Sequence, residues 1–372
     1  MRKESIQFFE KLCNAPGVSG FEREPVRLAR DYVKPYCDKM ESDKLGSMTF
    51  SRKGQKERPV IFLPGHADEI GFLVSAIHDS GFLKFHTIGG WPDQVLLGQR
   101  VRVLTKDGPV PGLIASKPPH LMSDEEKKKM VSQKDMFIDI CCSNADEARA
   151  MGVRVGDAVV ADSTFSLIEK ARYKDGKKSG KATLAMGKAF DNRAGLFIAV
   201  EVLRTLAKKE IDHPNTVVAG ATTMEELGLR GATTSGYMVE PDVCMALDVG
   251  IAGDVPGIEK HQSNTALGSG VSITTYDSGM IPNQALKELV IETAEKENIP
   301  HVLTSLGRGT TDAAAVHKTK TGCPSIYLGI PTRHIHSHAG IIDLHDIQAC
   351  IDLVVAVVQR LDKKTVQSLT EI

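Results

Sequence analysis

The sequence predicts an α/β protein: a mostly parallel sheet sandwiched by helices, interrupted by a smaller β-rich unit. Three observations carry this. Short continuous apolar runs recur at 60–63, 216–221, 243–247 and 325–330, the pattern of strands buried on both faces. Helix-length stretches lie between or after them, at 193–209, 228–237, 284–298, 311–319 and 344–361. The segment from 75 to 165 has another texture, with short alternating stretches such as Phe82-Leu-Lys-Phe, Arg100-Val-Arg-Val-Leu and Gly156-Asp-Ala-Val-Val between Gly and Pro turns. Residues 1–75 and 165–372 are therefore expected to form one discontinuous α/β domain, with residues 76–164 inserted into it.

Each element has a local reason. Residues 5–14 place Ile6, Phe9 and Leu12 near one helix face. Ser19-Gly-Phe-Glu22 reads as a capping box opening a second helix over 22–36. Asp107-Gly108 reads as a hairpin turn within the β-rich unit.

Composition narrows the function classes. With 372 residues, 41% hydrophobic and 25% charged, the chain has ordinary globular composition. A formal charge of −1 offers no electrostatic footprint for nucleic acid or an anionic membrane. The seven cysteines are odd in number, with Cys141 and Cys142 adjacent and no CxxC, which fits neither a disulfide framework nor a zinc ribbon. Reduced thiols in a cytoplasm are the expectation. The opening segment carries no apolar stretch of signal-peptide length, and no apolar run reaches membrane-spanning length.

Metal-ligand side chains follow the apolar strands. The run 60–63 leads to His66 and Asp68, 216–221 to Glu225 and Glu226, 243–247 to Asp248, and 325–330 to His336. Carboxyl ends of strands line the binding crevice of open α/β sheets, so these groups are expected along one edge. Imidazoles with carboxylates suit zinc, cobalt or manganese. Each residue also has a plainer reading. His66-Ala-Asp68 fits a turn, or a ligand whose second ring nitrogen is held by Asp68. Asp191 fits a helix N-cap, or a carboxylate bridging two metals. Glu225-Glu226 fits an exposed helix start, or a buried pair in which one acid binds metal and the other faces water. Asp248 fits a cap or a ligand, and His334, His336 and His338 compete for one ligand role. GxSxG, Walker A and GxGxxG arrangements are absent, leaving hydrolysis by metal-activated water.

Taken together the motifs resemble the M42 metallo-aminopeptidases, the glutamyl aminopeptidase and TET group. They run Ala15-Pro-Gly-Val-Ser-Gly-Phe-Glu22, Gly65-His-Ala-Asp-Glu-Ile-Gly71, Ile88-Gly-Gly-Trp91, Phe190-Asp-Asn-Arg193, Glu225-Glu-Leu-Gly-Leu-Arg-Gly-Ala232, Ile281-Pro-Asn283, Gly309-Thr-Thr-Asp-Ala313 and Pro331-Thr-Arg-His-Ile-His-Ser337. The resemblance implies a zinc-exopeptidase-like domain with an inserted PDZ-like or barrel domain that dimerises, the dimers building to a dodecamer. It implies two divalent metals per subunit, zinc or cobalt before manganese. His66 and Asp248 would hold one, Glu226 and His336 the other, and Asp191 would bridge them. Glu225 would be the general base, Asp68 the partner of His66, and the Asp191–Asn192 peptide cis. Short peptides would be the substrates. The sequence departs from the family where His336-Ser-His-Ala-Gly340 replaces the common His-Ser-Pro-x-Glu, so His338 competes with His336. Arg308, Lys260 and His261 are candidates for a basic pocket that would take acidic residues, with neutral aliphatic or basic specificity as the alternatives. The alternatives are an N-acyl amino-acid deacylase or related amidohydrolase, and a non-catalytic metal-binding scaffold.

Overall fold

The computed structural model describes residues 1–174 and 177–371. Four parallel strands form its centre, in the order Thr216–Thr222, Val60–His66, Val243–Ile251 and Ser325–Arg333. Their apolar runs are continuous because both faces are covered. Ile61 and Leu63 enter a large core with the helices Lys3–Asn14, Phe190–Lys208 and Leu344–Arg360. The intervening Phe62 enters a second core with Ala232 and Val316 on the opposite face.

The expectation of a mostly parallel sheet is corrected outside this centre. Met48–Lys53 and Lys39–Ser42 extend one side antiparallel, and Gly340–Asp343, Lys177–Gly187 and Ser166–Lys174 extend the other. Val271–Tyr276 and His301–Ser305 branch from Ser325–Arg333. Lys39–Ser42 and His301–Ser305 are polar and partly exposed, so they lack the apolar signature that marks the centre.

The β-rich unit is a closed six-stranded barrel, ordered Gly71–Ile77, Leu83–Ile88, Phe137–Asp139, Gly108–Ala115, Arg100–Thr105 and Ala158–Ala161. Phe72, Val74, Leu83, Val101, Ile114 and Ile138 fill it. Its first strand starts at Gly71, so a boundary at 75–76 falls within that strand. The expected hairpin is present, but its two-residue loop is Lys106-Asp107, and Gly108 begins the next strand opposite Thr105.

One local expectation fails for a tertiary reason, and two helices differ in extent or type. Ser19 and Glu22 do not form a capping box. Ser19 Oγ donates to Asp68 at 2.6 Å, and Glu22 accepts from the Gly20 and Met224 amides, so both tie the N-terminal segment to the site edge. The second helix is Arg23–Val33, closing in a 3-10 turn at Lys34–Tyr36 where Pro35 interrupts the hydrogen-bond ladder. The helix expected over 311–319 is only Ala313–Val316.

Candidate metal centre

His66 is the last residue of its strand, Glu225 and Glu226 follow Thr222 by three and four residues, Asp248 lies within Val243–Ile251, and His336 follows Arg333 by three. Parallel pairing sets Thr222 opposite His66 and brings all these ends to one edge. Asp191 arrives from the start of Phe190–Lys208. There Asp191 and Asn192 leave helical geometry and their peptide bond is cis. Asn192 Nδ2 donates to the Leu247 carbonyl at 2.8 Å and its Oδ1 accepts from Gly195 N at 2.8 Å, fastening this turn beside Asp248. Gly195 permits the approach, since a Cβ there would lie 2.0 Å from the Leu247 oxygen.

Ligand-type atoms converge. His66 Nε2 lies 3.1 Å from Asp191 Oδ1, 3.7 Å from Glu225 Oε2 and 3.9 Å from Asp248 Oδ2. His336 Nε2 lies 3.3 Å from Asp191 Oδ2 and 3.7 Å from Glu226 Oε1. Three groupings have all their ligand atoms within 4.8 Å of one another: His66, Asp191 and Asp248; Asp191, Glu226 and His336; and His66, Glu225 and Glu226. Asp191 belongs to the first two, offering one oxygen to each histidine.

Both imidazoles are oriented from behind. His66 Nδ1 lies 3.3 Å from Asp68 Oδ1, and His336 Nδ1 lies 2.7 Å from the Gly90 carbonyl oxygen. Each Nε2 therefore faces the carboxylates. Asp68 is fully buried and also accepts from the Glu225 and Glu226 amides, both at 3.1 Å.

The electrostatics are unbalanced. Burial pushes the Glu225 and Asp248 carboxyls well above their usual range, against the pull of His66, and raises Glu226 to about 7 with Asp191 adding to it. Burial opposes the His336 imidazolium, yet Asp191 and Glu226 hold its pKa up at about 10. Among the described residues the only ion-pair partners of Asp68, Asp191, Glu225, Glu226 and Asp248 are the two histidines. Glu226 Oε1 is buried with no hydrogen-bond partner. An orphaned carboxylate oxygen in a pocket short of positive charge fits residues that hold cations.

Several contributors escaped the sequence reading. Asp312 is buried, accepts from Thr222 Oγ1 through Oδ2, and leaves Oδ1 unpaired; burial raises it to about 6. Its carboxylate also weighs on Glu225 and Asp248. It stood in Gly309-Thr-Thr-Asp-Ala313, but a single acid there gave no sign of its burial. Glu69, Lys188 and Arg193 form a buried cluster behind the site. Lys188 Nζ lies 2.7 Å from each Glu69 oxygen, and Arg193 donates to the Leu12 and Ala15 carbonyls. His338, the competing ligand, joins none of the three groupings. Its ring lies 5.0 Å from that of Trp91. Lys260 and His261 line a cavity of about 300 Å³ that begins at Gly250 and Ile251, just beyond Asp248; Arg308 does not line it.

Comparison with known proteins places the chain in a family. The family model for M42 glutamyl aminopeptidase matches residues 46–353. A glutamyl aminopeptidase of Lactococcus lactis subsp. cremoris is 31% identical over 374 residues, covering 98% of this chain and 99% of its own. The crystal structure of a TET aminopeptidase from the marine sediment archaeon Thaumarchaeota archaeon SCGC AB-539-E09 superposes with a TM-score of 0.94 at 48% identity, covering 99% of each chain. A TET1 peptidase of Pyrococcus horikoshii, which can assemble into a tetrahedron or a large octahedral shell, gives 0.81 at 28% identity, covering 96% of this chain and 100% of its own. The chain thus belongs to the M42 aminopeptidase family, whose members are metal-dependent, and it is a peptide-cleaving hydrolase.

Proposed function

We propose that the protein is a dinuclear-metal aminopeptidase removing N-terminal residues from short peptides, with Glu225 as general base. The observation that carries this is Asp191, whose two oxygens face two different histidines, each backed by a further carboxylate. His66 and Asp248 would hold one divalent cation, Glu226 and His336 the other, with Asp191 between them. Zinc or cobalt suits this mixed imidazole and carboxylate set best, and manganese also fits. When bound, the cations supply Lewis acidity toward the scissile carbonyl and a water of lowered pKa.

The chain's own residues do the rest. Asp68 orients His66 and, through the two backbone amides, sets where Glu225 and Glu226 point. Glu225 shares a grouping with His66 and Glu226, one residue assigned to each cation. It takes the proton of the attacking water and returns it to the leaving amine. The cavity edged by Lys260 and His261 carries no acid, which favours an acidic N-terminal side chain.

The assembly is a homo-oligomer in which the barrel forms the dimer contact and dimers build to a dodecamer; barrel-side apolar groups such as Leu113, Leu121 and Met130 are exposed in the single chain. All seven cysteines are free, in keeping with a reducing cytoplasm, and no described helix is long and apolar enough to cross a membrane.

The test is direct. Bound metal is measured, removed by chelation, and restored as zinc, cobalt or manganese before assay on a panel of aminoacyl chromogenic substrates. Two metals per subunit and cleavage of free-amine substrates, acidic ones foremost, are expected. Cleavage of N-acetylated substrates alone would replace this reading with a deacylase. A stable monomer by light scattering would remove the assembly.

A further inference from the structure

The inserted barrel reaches the metal centre through one turn, Gly89-Gly90-Trp91, which follows its strand Leu83–Ile88. The Gly90 carbonyl oxygen lies 2.7 Å from His336 Nδ1. Neither glycine of the turn has room for a side chain. A Cβ on Gly89 would come within 2.9 Å of Glu226 Oε2 and 2.4 Å of Ile70 Cγ2, and Gly89 adopts φ +77°. A Cβ on Gly90 would come within 3.0 Å of His336 Nδ1. One turn of the barrel backbone thus touches both side chains, Glu226 and His336, assigned to the same cation.

Trp91 anchors that turn. Its Nε1 donates to the Gly71 carbonyl at 3.1 Å, and its ring stacks on Phe72 with centroids 4.8 Å apart. The α/β domain meets this anchor through His338, whose ring is tilted 52° from that of Trp91. His338 lies 5.0 Å from the Trp91 ring and 6.5 Å from Phe72, and is 93% buried, with 7% of its surface exposed. His338 stands two residues from His336 on the connection between Ser325–Arg333 and Gly340–Asp343. Ser337 Oγ closes that connection by donating to the His334 and Ala339 carbonyls. Nε2 of His338 is buried without a partner among the described residues, an unfavourable placement for a polar atom. What the ring contributes is therefore contact with the barrel, and that contact lies next to the carbonyl that orients His336.

We propose that His338 is a positioning residue: by packing its tilted ring against Trp91 it clasps the Gly89-Gly90-Trp91 turn against the α/β domain, so that the Gly90 carbonyl holds His336 and the barrel becomes part of the metal centre. This rests on the reading of His336 as a ligand. The effect is one-sided. The Glu226 and His336 cation depends on the clasp, whereas the His66 and Asp248 cation, oriented by Asp68, does not.

Trp91 is the only tryptophan of the chain, so its emission reports on the clasp directly. Zinc, which is not itself a redox quencher, is titrated into the chelated full-length protein while Trp91 fluorescence and a competing chelator are read together. In the wild type, emission is expected to change as the second zinc equivalent binds. His338→Ala should shift the metal-free emission and weaken one of the two zinc ions about 10- to 100-fold, leaving the other within threefold. His338→Phe keeps a ring against Trp91 without the nitrogens, and should restore that affinity to within about threefold of wild type, at the mild end of such effects.

Unchanged affinities in an Ala variant whose emission has shifted would overturn the clasp. So would equal weakening of both zinc ions, or failure of Phe to rescue. The wild-type titration needs no variant to fold, and an emission blind to zinc overturns the proposal by itself. A wild type that binds no zinc would instead sink the reading of the metal centre.

Discussion

Replacing Glu225 by Gln tests the division of labour between the adjacent acids. The Glu225 carboxylate is 10% exposed, accepts no hydrogen bond among the described residues, and sits 3.7 Å from His66 Nε2. Its backbone amide, not its side chain, is what Asp68 engages. An isosteric amide therefore strands no partner and should leave Asp191, Glu226, Asp248 and both histidines in place. What is lost is proton transfer, which contributes about 10²–10⁴ in rate. Asp68 is fully hydrogen-bonded, whereas Asp312 is held by Thr222 through one oxygen and keeps the other unpaired, so the whole of that range is expected. A fall in kcat of about 10²–10⁴, or roughly 2.7–5.5 kcal/mol in barrier, follows. Metal content by mass spectrometry and kcat on an aminoacyl chromogenic substrate are measured on the same preparation. A variant holding both metals with kcat within tenfold of wild type would refute the general-base role. A variant that had lost one metal would make Glu225 a ligand, as its grouping with His66 and Glu226 permits.

Three further predictions concern the frame of the site. Asp191→Ala should abolish binding of both metals, whereas Asp248→Ala should spare the His336 side; equal stoichiometry in the two variants would argue against bridging. Lys188→Met breaks a buried pair whose partners are 2% and 3% exposed, and removal of one such partner costs about 3–5 kcal/mol. Arg193 at 3.6 Å and the Gly17 amide at 3.1 Å still compensate Glu69, so the low end, about 3 kcal/mol, is expected from denaturant unfolding; adding Glu69→Gln should recover part of it, and a loss below about 1 kcal/mol would contradict the account. Metal uptake should release protons. Burial opposes charge on both imidazoles, but the facing carboxylates raise His66 well above its usual value and His336 to about 10, so the metal-free centre favours protons on its imidazoles. A cation must displace those protons, so apparent affinity falls as pH drops. Calorimetry in buffers of different ionisation enthalpy reads the release, and no net protons would contradict it.

The central strands and the edge carrying the ligands were legible because they are governed by one strong effect. A strand covered on both faces must be apolar throughout, and its polar end then announces itself, as His66 and Asp248 do. The flanking strands were not legible, since Lys39–Ser42 and His301–Ser305 are half-exposed and their composition resembles a loop. The capping box failed for a different reason. Its local geometry was allowed, but Asp68 and the Met224 amide offered Ser19 and Glu22 buried partners, and buried hydrogen bonds outweigh exposed ones. Asp312, Lys188 and the Gly90 carbonyl act through distant contacts that no local pattern encodes. His338 looked like a ligand because spacing alone aligns it with His336; the compact turn closed by Ser337 sends the two rings apart.

Asp68 shows how so small a site stays ordered under its own charge. One oxygen faces His66 Nδ1 and the Glu225 amide, and the other takes the Ser19 hydroxyl and the Glu226 amide. Burial alone would favour the neutral acid, yet His66 and these donors lower its pKa below the usual carboxylate value. The charge is thereby kept where it organises others. It fixes the His66 ring, and it holds the peptide amides of Glu225 and Glu226, whose side chains then diverge. Those two acids are left with raised pKa values and, for Glu226, an oxygen with no partner. The contrast has a physical purpose: the carboxylate saturated with donors is a fixed frame, while the unsaturated ones retain free lone pairs for a cation or a proton. In the proposed division, metal binding falls to Glu226 and proton transfer to Glu225, neighbours whose shared anchor lies in the backbone, leaving each side chain free for its own task.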